Sequence, residues 1–219
     1  MVEEQMMGDR LTGLVAILRG LTPERAAGVG EALVGAGLTT LEVPLNSPDP
    51  LRSITILREQ LGERARVGAG TVLDPVSVVA AQEAGAQLVV CPNTDPDVVT
   101  EAVAAGLPVY PGVATVSEAF TAIRYGARAV KIFPADQVGP AAVRAWQAVL
   151  PPEVELVPVG GVGADSFAEW VAVGASGFGI GSALFTPEVP TGQLAERAEA
   201  LVAAWQAVSA QVRAVPGGR

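Results

Sequence analysis

The chain contains no histidine, one cysteine and, among its 14 basic residues, a single lysine. Each shortage excludes something. Without histidine there is no Ser-His-Asp or Cys-His nucleophile system. The usual zinc sites go too, including catalytic ones that polarise a carbonyl, and no metal is expected. The lone Cys91 cannot close an internal disulfide and reads as a small buried hydrophobe. Long clean apolar runs are also missing. The stretch from Ala102 to Val116 is interrupted by Gly106, Pro108, Pro111 and Gly112, so no membrane span is expected. The opening MVEEQMMGDR is acidic ahead of its first apolar run, the reverse of a secretory signal, and a cytoplasmic protein is expected. Positive charge is scarce: 14 Lys+Arg stand against 23 Asp+Glu, a net charge of -9. That balance argues against a phosphate-backbone binder, and no nucleic-acid partner is expected.

What is present is apolar and repetitive. Half of the 219 residues are hydrophobic and 17% are charged, enough for one large domain over 1–219 with short flexible ends, the tail VPGGR among them. One phrase recurs: an Ala-rich helical stretch, a glycine, then a β-branched run. It places Gly37, Gly85, Gly106, Gly126 and Gly174 where helices stop and strands follow. Repeated helix–turn–strand units imply a parallel sheet with helices packed outside it. Eight apolar runs are read as strands: Leu14–Leu18, Thr40–Pro44, Arg66–Gly70, Gln87–Cys91, Pro108–Gly112, Arg128–Ile132, Glu155–Val159 and Gly177–Gly181. Helix starts are read at Thr22-Pro23-Glu24, Ser47-Pro48-Asp49 and Asp74-Pro75, and a last helix from Thr191 to Val212. Even spacing and uniform composition favour an α/β fold of the (β/α)8 TIM-barrel type over an open doubly wound sheet.

In such a barrel, function collects at the C-terminal strand ends. Arg19, Glu42, Gly70-Thr71, Pro92-Asn93, Gly112, Lys131, Gly160-Gly161 and Gly181-Ser182 fall there. Lys131 lies in ARAVKIFPA, and strand alternation puts it on one face with the small Ala129, opposite Val130 and Ile132. A snorkelling lysine is the plain reading. Yet thirteen of the fourteen basic residues are arginine, which would serve that purpose equally well. A guanidinium cannot deprotonate to attack a carbonyl, whereas an amine desolvated in a barrel can. Glu42, in TTLEVPL, shares its inward face with Thr40; without histidine a carboxylate is the natural proton shuttle, although most glutamates are simply solvated. The loops VGGVGADSF and GFGIGSALF place glycines after strands seven and eight. Their backbone N–H groups and following helix N-termini can cradle an anion, or the glycines can serve turn geometry alone. Arg19, in AILRG, is either a fork for a carboxylate or half of a surface ion pair.

Taken together, VAILRGLTPE, LEVPLNSPDPL, VGAGTVLDP, VVCPN, VYPGVATVSEA, AVKIFPA, VPVGGV and GIGSAL resemble the 2-keto-3-deoxy-6-phosphogluconate and -galactonate aldolases, in order from Val15 to Leu184. The resemblance implies a cofactor-free barrel, a homotrimer, that reversibly cleaves a phosphorylated 2-keto-3-deoxy sugar acid to pyruvate and glyceraldehyde 3-phosphate. It implies Lys131 as Schiff-base residue, Glu42 as acid/base, Arg19 and Thr71 at the keto-acid end, Pro92 and Phe133 lining the pocket, and Gly160, Gly161, Gly181 and Ser182 on the phosphate. Gluconate-type members tend to carry LR[ST] after the glutamate strand and threonine before Gly-Gly. Here Leu45-Asn46-Ser47 and Val159 stand instead, which resembles the galactonate branch. Gluconate or 4-hydroxy-2-oxoglutarate cleavage are the alternative activities. A catalytically silent phosphosugar-binding barrel is the alternative outside enzymes.

Overall fold

The computed structural model describes residues 13–213. Strands and helices alternate: β1 (Gly13–Ile17), α1 (Pro23–Gly35), β2 (Thr40–Pro44), α2 (Pro50–Leu61), β3 (Arg66–Gly70), α3 (Pro75–Glu83), β4 (Val89–Val90) and α4 (Pro96–Ala104). They continue with β5 (Val109–Tyr110), β6 (Gly112–Val113), α5 (Val116–Arg124), β7 (Ala129–Ile132), α6 (Ala135–Trp146), β8 (Glu155–Pro158), α7 (Phe167–Val171), β9 (Gly177–Ile180) and α8 (Thr191–Arg213). Every described strand pairing is parallel. The five helix-ending glycines read from the sequence all take positive φ, the conformation that lets the chain leave a helix without a Cβ clash. The tail VPGGR lies outside the described residues.

The strands form a six-stranded sheet, β5-β4-β3-β2-β1-β9, and a three-stranded sheet, β6-β7-β8. The run Pro108–Gly112, read as one strand, is thus divided at Pro111. Proline has no N–H for a ladder, and Gly112 N turns aside to donate to Asn93 O at 3.2 Å. The two halves serve different neighbours: Tyr110 O accepts from Cys91 N on one side, and Pro111 O from Lys131 N on the other. Between β8 and β9 only isolated bridges occur, Leu156 with Ala175 and Val159 with Gly179.

Side chains sort by alternation into two apolar clusters. Val15, Ile17, Leu88, Val90, Tyr110, Ala129, Val157 and Val159 form one, with Phe133 against it. Their strand neighbours, among them Ala16, Leu41, Val89, Val130, Ile132 and Leu156, pack with the helices in the larger one. Lys131, two residues after Ala129, therefore faces the smaller cluster, as read from the sequence. The expected helix start at Ser47-Pro48-Asp49 is displaced. The helix begins at Pro50, and Asp49 sits before it at φ 40°. Ser47 Oγ is engaged elsewhere, accepting from Gly20 N at 3.0 Å. Asp74 does cap its helix, accepting from Ser77 N at 2.8 Å. Among the described residues, no helix is long and apolar enough to cross a membrane.

Candidate active site

The C-terminal ends of the strands hold two buried ionisable groups. Glu42 is 2% exposed and Lys131 is 4% exposed. Parallel register sets Glu42 level with Ile17 on β1 and Gly68 on β3, and Lys131 level with Gly112 on β6 and Val157 on β8. The space around them is made by small residues. A Cβ at Gly70 would lie 1.6 Å from Glu42 Oε1, so this strand end must be glycine for the carboxylate to occupy its place. A Cβ at Gly112 would lie 2.2 Å from Pro92 O, so the loop after β4 closes down on β6 through a second glycine.

Burial acts on both groups and their charges oppose it. Desolvation pushes the Glu42 carboxyl above the usual carboxylate range, with Lys131 and Arg19 pulling it back. Desolvation holds the Lys131 amine below the usual lysine range, with Glu42 resisting and Arg19 reinforcing. Removing an ion from water costs several kcal/mol even after relaxation, and a buried pair is weak as a stabilising device. Poising two groups toward their neutral forms is instead what proton transfer and amine attack require. Cys91, just beyond Val90, has its thiol pushed up to about 12, chiefly by burial, and is no competing nucleophile near neutral pH.

Around this pair the other sequence-predicted residues fall into two groups. Phe133 lies half-buried with its ring centroid 4.6 Å from Lys131 Nζ. A Cβ at Gly160 would lie 3.6 Å from the Phe133 ring, so Phe133 neighbours both the lysine and the Gly-Gly turn. Val159 points into the inner cluster, and Gly179 makes room for it: a Cβ there would stand 2.6 Å from Val159 Cγ2. Gly160 and Gly161 turn at φ 97° and 71°, and the bridge from Val159 to Gly179 brings this turn beside the loop carrying Gly181 and exposed Ser182. The helix N-termini expected to follow these loops are not there. The helix after Gly160-Gly161 is five residues long and opens only at Phe167, and the one after Gly181-Ser182 opens at Thr191. Glycine-rich chain after both strands folds into turns, as Leu184 N and Phe185 N donating to Gly181 O show. Any anion site here rests on loop amides.

The second group is at the ends of β1, β2 and β3. Arg19 Nη1 donates to Asn46 Oδ1 at 2.5 Å, and Nη2 to Thr71 Oγ1 at 3.4 Å. Among the described residues Arg19 makes no ion pair. Thr71 sits at φ 56°, a left-handed conformation that is costly for a β-branched residue and concentrates at functional sites. Pro92 is half-buried at the end of β4. Sequence reasoning placed Asn46 and Ser47 only as a family mark and a helix start. The signal for more was a polar pair directly after a strand end.

A poised amine beside a poised carboxylate, at the C-terminal ends of parallel strands, can form an imine with a carbonyl and shuttle protons around it. That is the chemistry of carbon–carbon lyases that work through an enamine. Comparison with known proteins agrees. Residues 4–214 match the family model described as aldolase, KDPG and KHG aldolase, and the chain belongs to that family. It is 44% identical over 195 residues to the probable 2-dehydro-3-deoxy-6-phosphogalactonate aldolase of Rhizobium meliloti strain 1021, covering 89% of this chain and 92% of that one. It is 42% identical over 193 residues to the 2-dehydro-3-deoxy-6-phosphogalactonate aldolase of Escherichia coli K12, covering 88% and 94%. A solved structure described as native KDPGal structure superimposes with a TM-score of 0.89 at 41% identity, covering 92% of this chain and 98% of the other.

Proposed function

We propose that the chain is a class I aldolase that reversibly cleaves 2-dehydro-3-deoxy-6-phosphogalactonate to pyruvate and D-glyceraldehyde 3-phosphate. The observation that carries this reading is that the chain's only lysine is buried at a strand end and electrostatically coupled to a buried carboxylate. The neutral Lys131 amine attacks the C2 carbonyl carbon, and the neutral Glu42 carboxyl protonates the carbinolamine hydroxyl so that water leaves, giving an iminium and a Glu42 carboxylate. Glu42 then accepts the C4 hydroxyl proton as the C3–C4 bond breaks. The bonding pair moves into the iminium to give the pyruvate enamine, and the aldehyde departs. Protonation at C3 from Glu42 restores the iminium, and its hydrolysis releases pyruvate and the free amine while the proton set free returns to the Glu42 carboxylate. Arg19 and Thr71 hold the substrate carboxylate, Pro92 and Phe133 wall the pocket, and the Gly160-Gly161 and Gly181-Ser182 loops take the phosphate through backbone amides.

The whole is read as one (β/α)8 domain closed into a barrel. The bridges joining β8 to β9, and the chain continuity of β5 and β6 through Pro111, support closure. A homotrimer is proposed from the family resemblance, and the exposed Leu73, Val76 and Val79 at the start of α3 offer an apolar face for it. A cytoplasmic location suits a chain whose one cysteine is free and buried. The reading is tested by measuring pyruvate release from the 6-phosphorylated galactonate and gluconate epimers side by side. Faster cleavage of the galactonate epimer is expected; faster cleavage of the gluconate epimer reassigns the substrate, and no pyruvate from either leaves 4-hydroxy-2-oxoglutarate cleavage or a silent binding barrel.

A further inference from the structure

The guanidinium of Arg19 is exposed, yet it is held in one place. Two neutral groups do the holding, the Asn46 amide oxygen at 2.5 Å and the Thr71 hydroxyl at 3.4 Å. Both turns that carry the arginine and the asparagine are tied down. Leu18 N donates to Glu42 O at 2.9 Å, and Gly20 N to the buried Ser47 Oγ at 3.0 Å, fixing the backbone either side of Arg19. Leu45 N donates to Gly70 O at 2.7 Å and Ser47 N to Pro44 O at 2.9 Å, fixing the backbone either side of Asn46.

Elsewhere Arg197 donates to Gln193 Oε1 at 3.3 Å and Arg25 to the Pro187 and Val189 carbonyls, while two further arginines are tethered by carboxylates. Arg64 is paired with Glu31 at 2.6 Å, and Arg58 lies 3.7 Å from Glu63. Those partners neutralise the charge they hold. For Arg19 the side-chain partners are the uncharged Asn46 amide and Thr71 hydroxyl. A guanidinium carries five N–H donors; among the described residues two are engaged, by Asn46 and Thr71, and the other three, with the full positive charge, face no acceptor there.

We infer that Asn46 is a positioning residue: its neutral amide oxygen orients the Arg19 guanidinium toward the substrate carboxylate without consuming its charge. The inference rests on the reading of Arg19 as the carboxylate clamp. Loss of the amide frees a long side chain to sample other rotamers, and each misplacement of a clamp weakens capture of the keto acid. An aspartate at the same place keeps the acceptor but sets a carboxylate against the substrate's own. Neither change touches the loops after β8 and β9 that would hold the phosphate end.

The test measures KM for pyruvate and for glyceraldehyde 3-phosphate in the condensation direction, with kcat, in Asn46→Ala, Asn46→Asp, Arg19→Ala and Asn46→Ala/Arg19→Ala. Asn46→Ala is expected to raise the pyruvate KM about tenfold while the aldehyde KM stays within about twofold. Asn46→Asp is expected to raise the pyruvate KM at least as far. Arg19→Ala should raise it on the order of 10²-fold, and adding Asn46→Ala to that variant should raise it no further. Rescue of the pyruvate KM by Asn46→Asp overturns the inference, because a mere tether would accept the carboxylate. So does an equal rise in both KM values, or an undiminished effect of Asn46→Ala without Arg19. An unchanged pyruvate KM in Arg19→Ala overturns the clamp reading itself. A raised value there with parental values in both Asn46 variants overturns the inference alone.

Discussion

Gly70→Ala isolates the placement of Glu42 from its chemistry. The glycine is not in a positive-φ conformation, so an alanine there suffers no backbone strain; what it lacks is space. The added Cβ would lie 1.6 Å from Glu42 Oε1, 2.3 Å from Cδ and 2.6 Å from Cγ. Carbon contacts settle at about 3.5–4.0 Å, so the carboxylate must retreat by roughly 2 Å or β3 must shift against β2. Overpacking of this kind costs about 1–3 kcal/mol, which the urea midpoint reads. A misplacement of about 1 Å already costs on the order of 10²-fold in turnover, and loss of a proton shuttle about 10²–10⁴-fold. Pyruvate release at saturating substrate should therefore fall by about 10²–10⁴-fold, as in Glu42→Gln. The double variant should be no worse than Glu42→Gln alone, since both remove the same group. Gly28→Ala is the control. Gly28 is exposed in α1, nothing lies within 4 Å of its added Cβ, and the change should stabilise by about 0.5–1 kcal/mol with turnover kept. Turnover of Gly70→Ala within a few-fold of the parent refutes the reasoning, because Glu42 would then work from another position.

Three other outcomes follow from the same geometry. Lys131→Arg and Lys131→Met should bring aldolase activity to background while the protein stays assembled, since neither supplies a free amine near neutral pH; substantial cleavage by either variant in a pyruvate-release assay makes the lysine structural. Val159→Thr places a hydroxyl in the inner cluster beside the Gly-Gly turn and should shift the ratio of kcat/KM toward the gluconate epimer by a factor worth about 1–3 kcal/mol; an unmoved ratio removes Val159 from specificity. Borohydride trapping of pyruvate needs the neutral amine, and burial lowers the Lys131 pKa, so its rate should rise with pH and level off below the ordinary lysine value of about 10.4. Glu42→Gln removes the charge that opposes this shift and should move the inflection lower still; an inflection at or above the ordinary value contradicts the desolvated amine.

Much of this arrangement was legible from the chain because it follows from local rules. Strands β2 and β3 span the residues their patterns mark, and α8 opens at the expected Thr191. Period-two alternation put Ala129 in the inner cluster and Val130 and Ile132 against the helices. The misses came where a residue is engaged at long range. Ser47 looks like a helix cap, but its hydroxyl is taken by Gly20 N, 27 positions away, and the helix starts later. Pro111 sits inside an apolar run, yet it divides the strand because its neighbours answer to different partners. The glycine loops looked like helix N-termini because strand–glycine–helix order suits both readings, and only the fold shows turns between. Asn46 shows in the sequence only as part of Leu45-Asn46-Ser47 after a strand end, and its relation to Arg19 exists only once β1 and β2 lie side by side.

The central claim is that the one lysine of this chain is its nucleophile, and a single mass-spectrometric measurement addresses it. The protein is reduced with borohydride in the presence of pyruvate, digested and mapped. The account predicts one covalent three-carbon adduct, on Lys131 in the peptide containing AVKIFPA, with none when pyruvate is omitted. An active enzyme that yields no adduct there, or one only at its N-terminal amine, contradicts it.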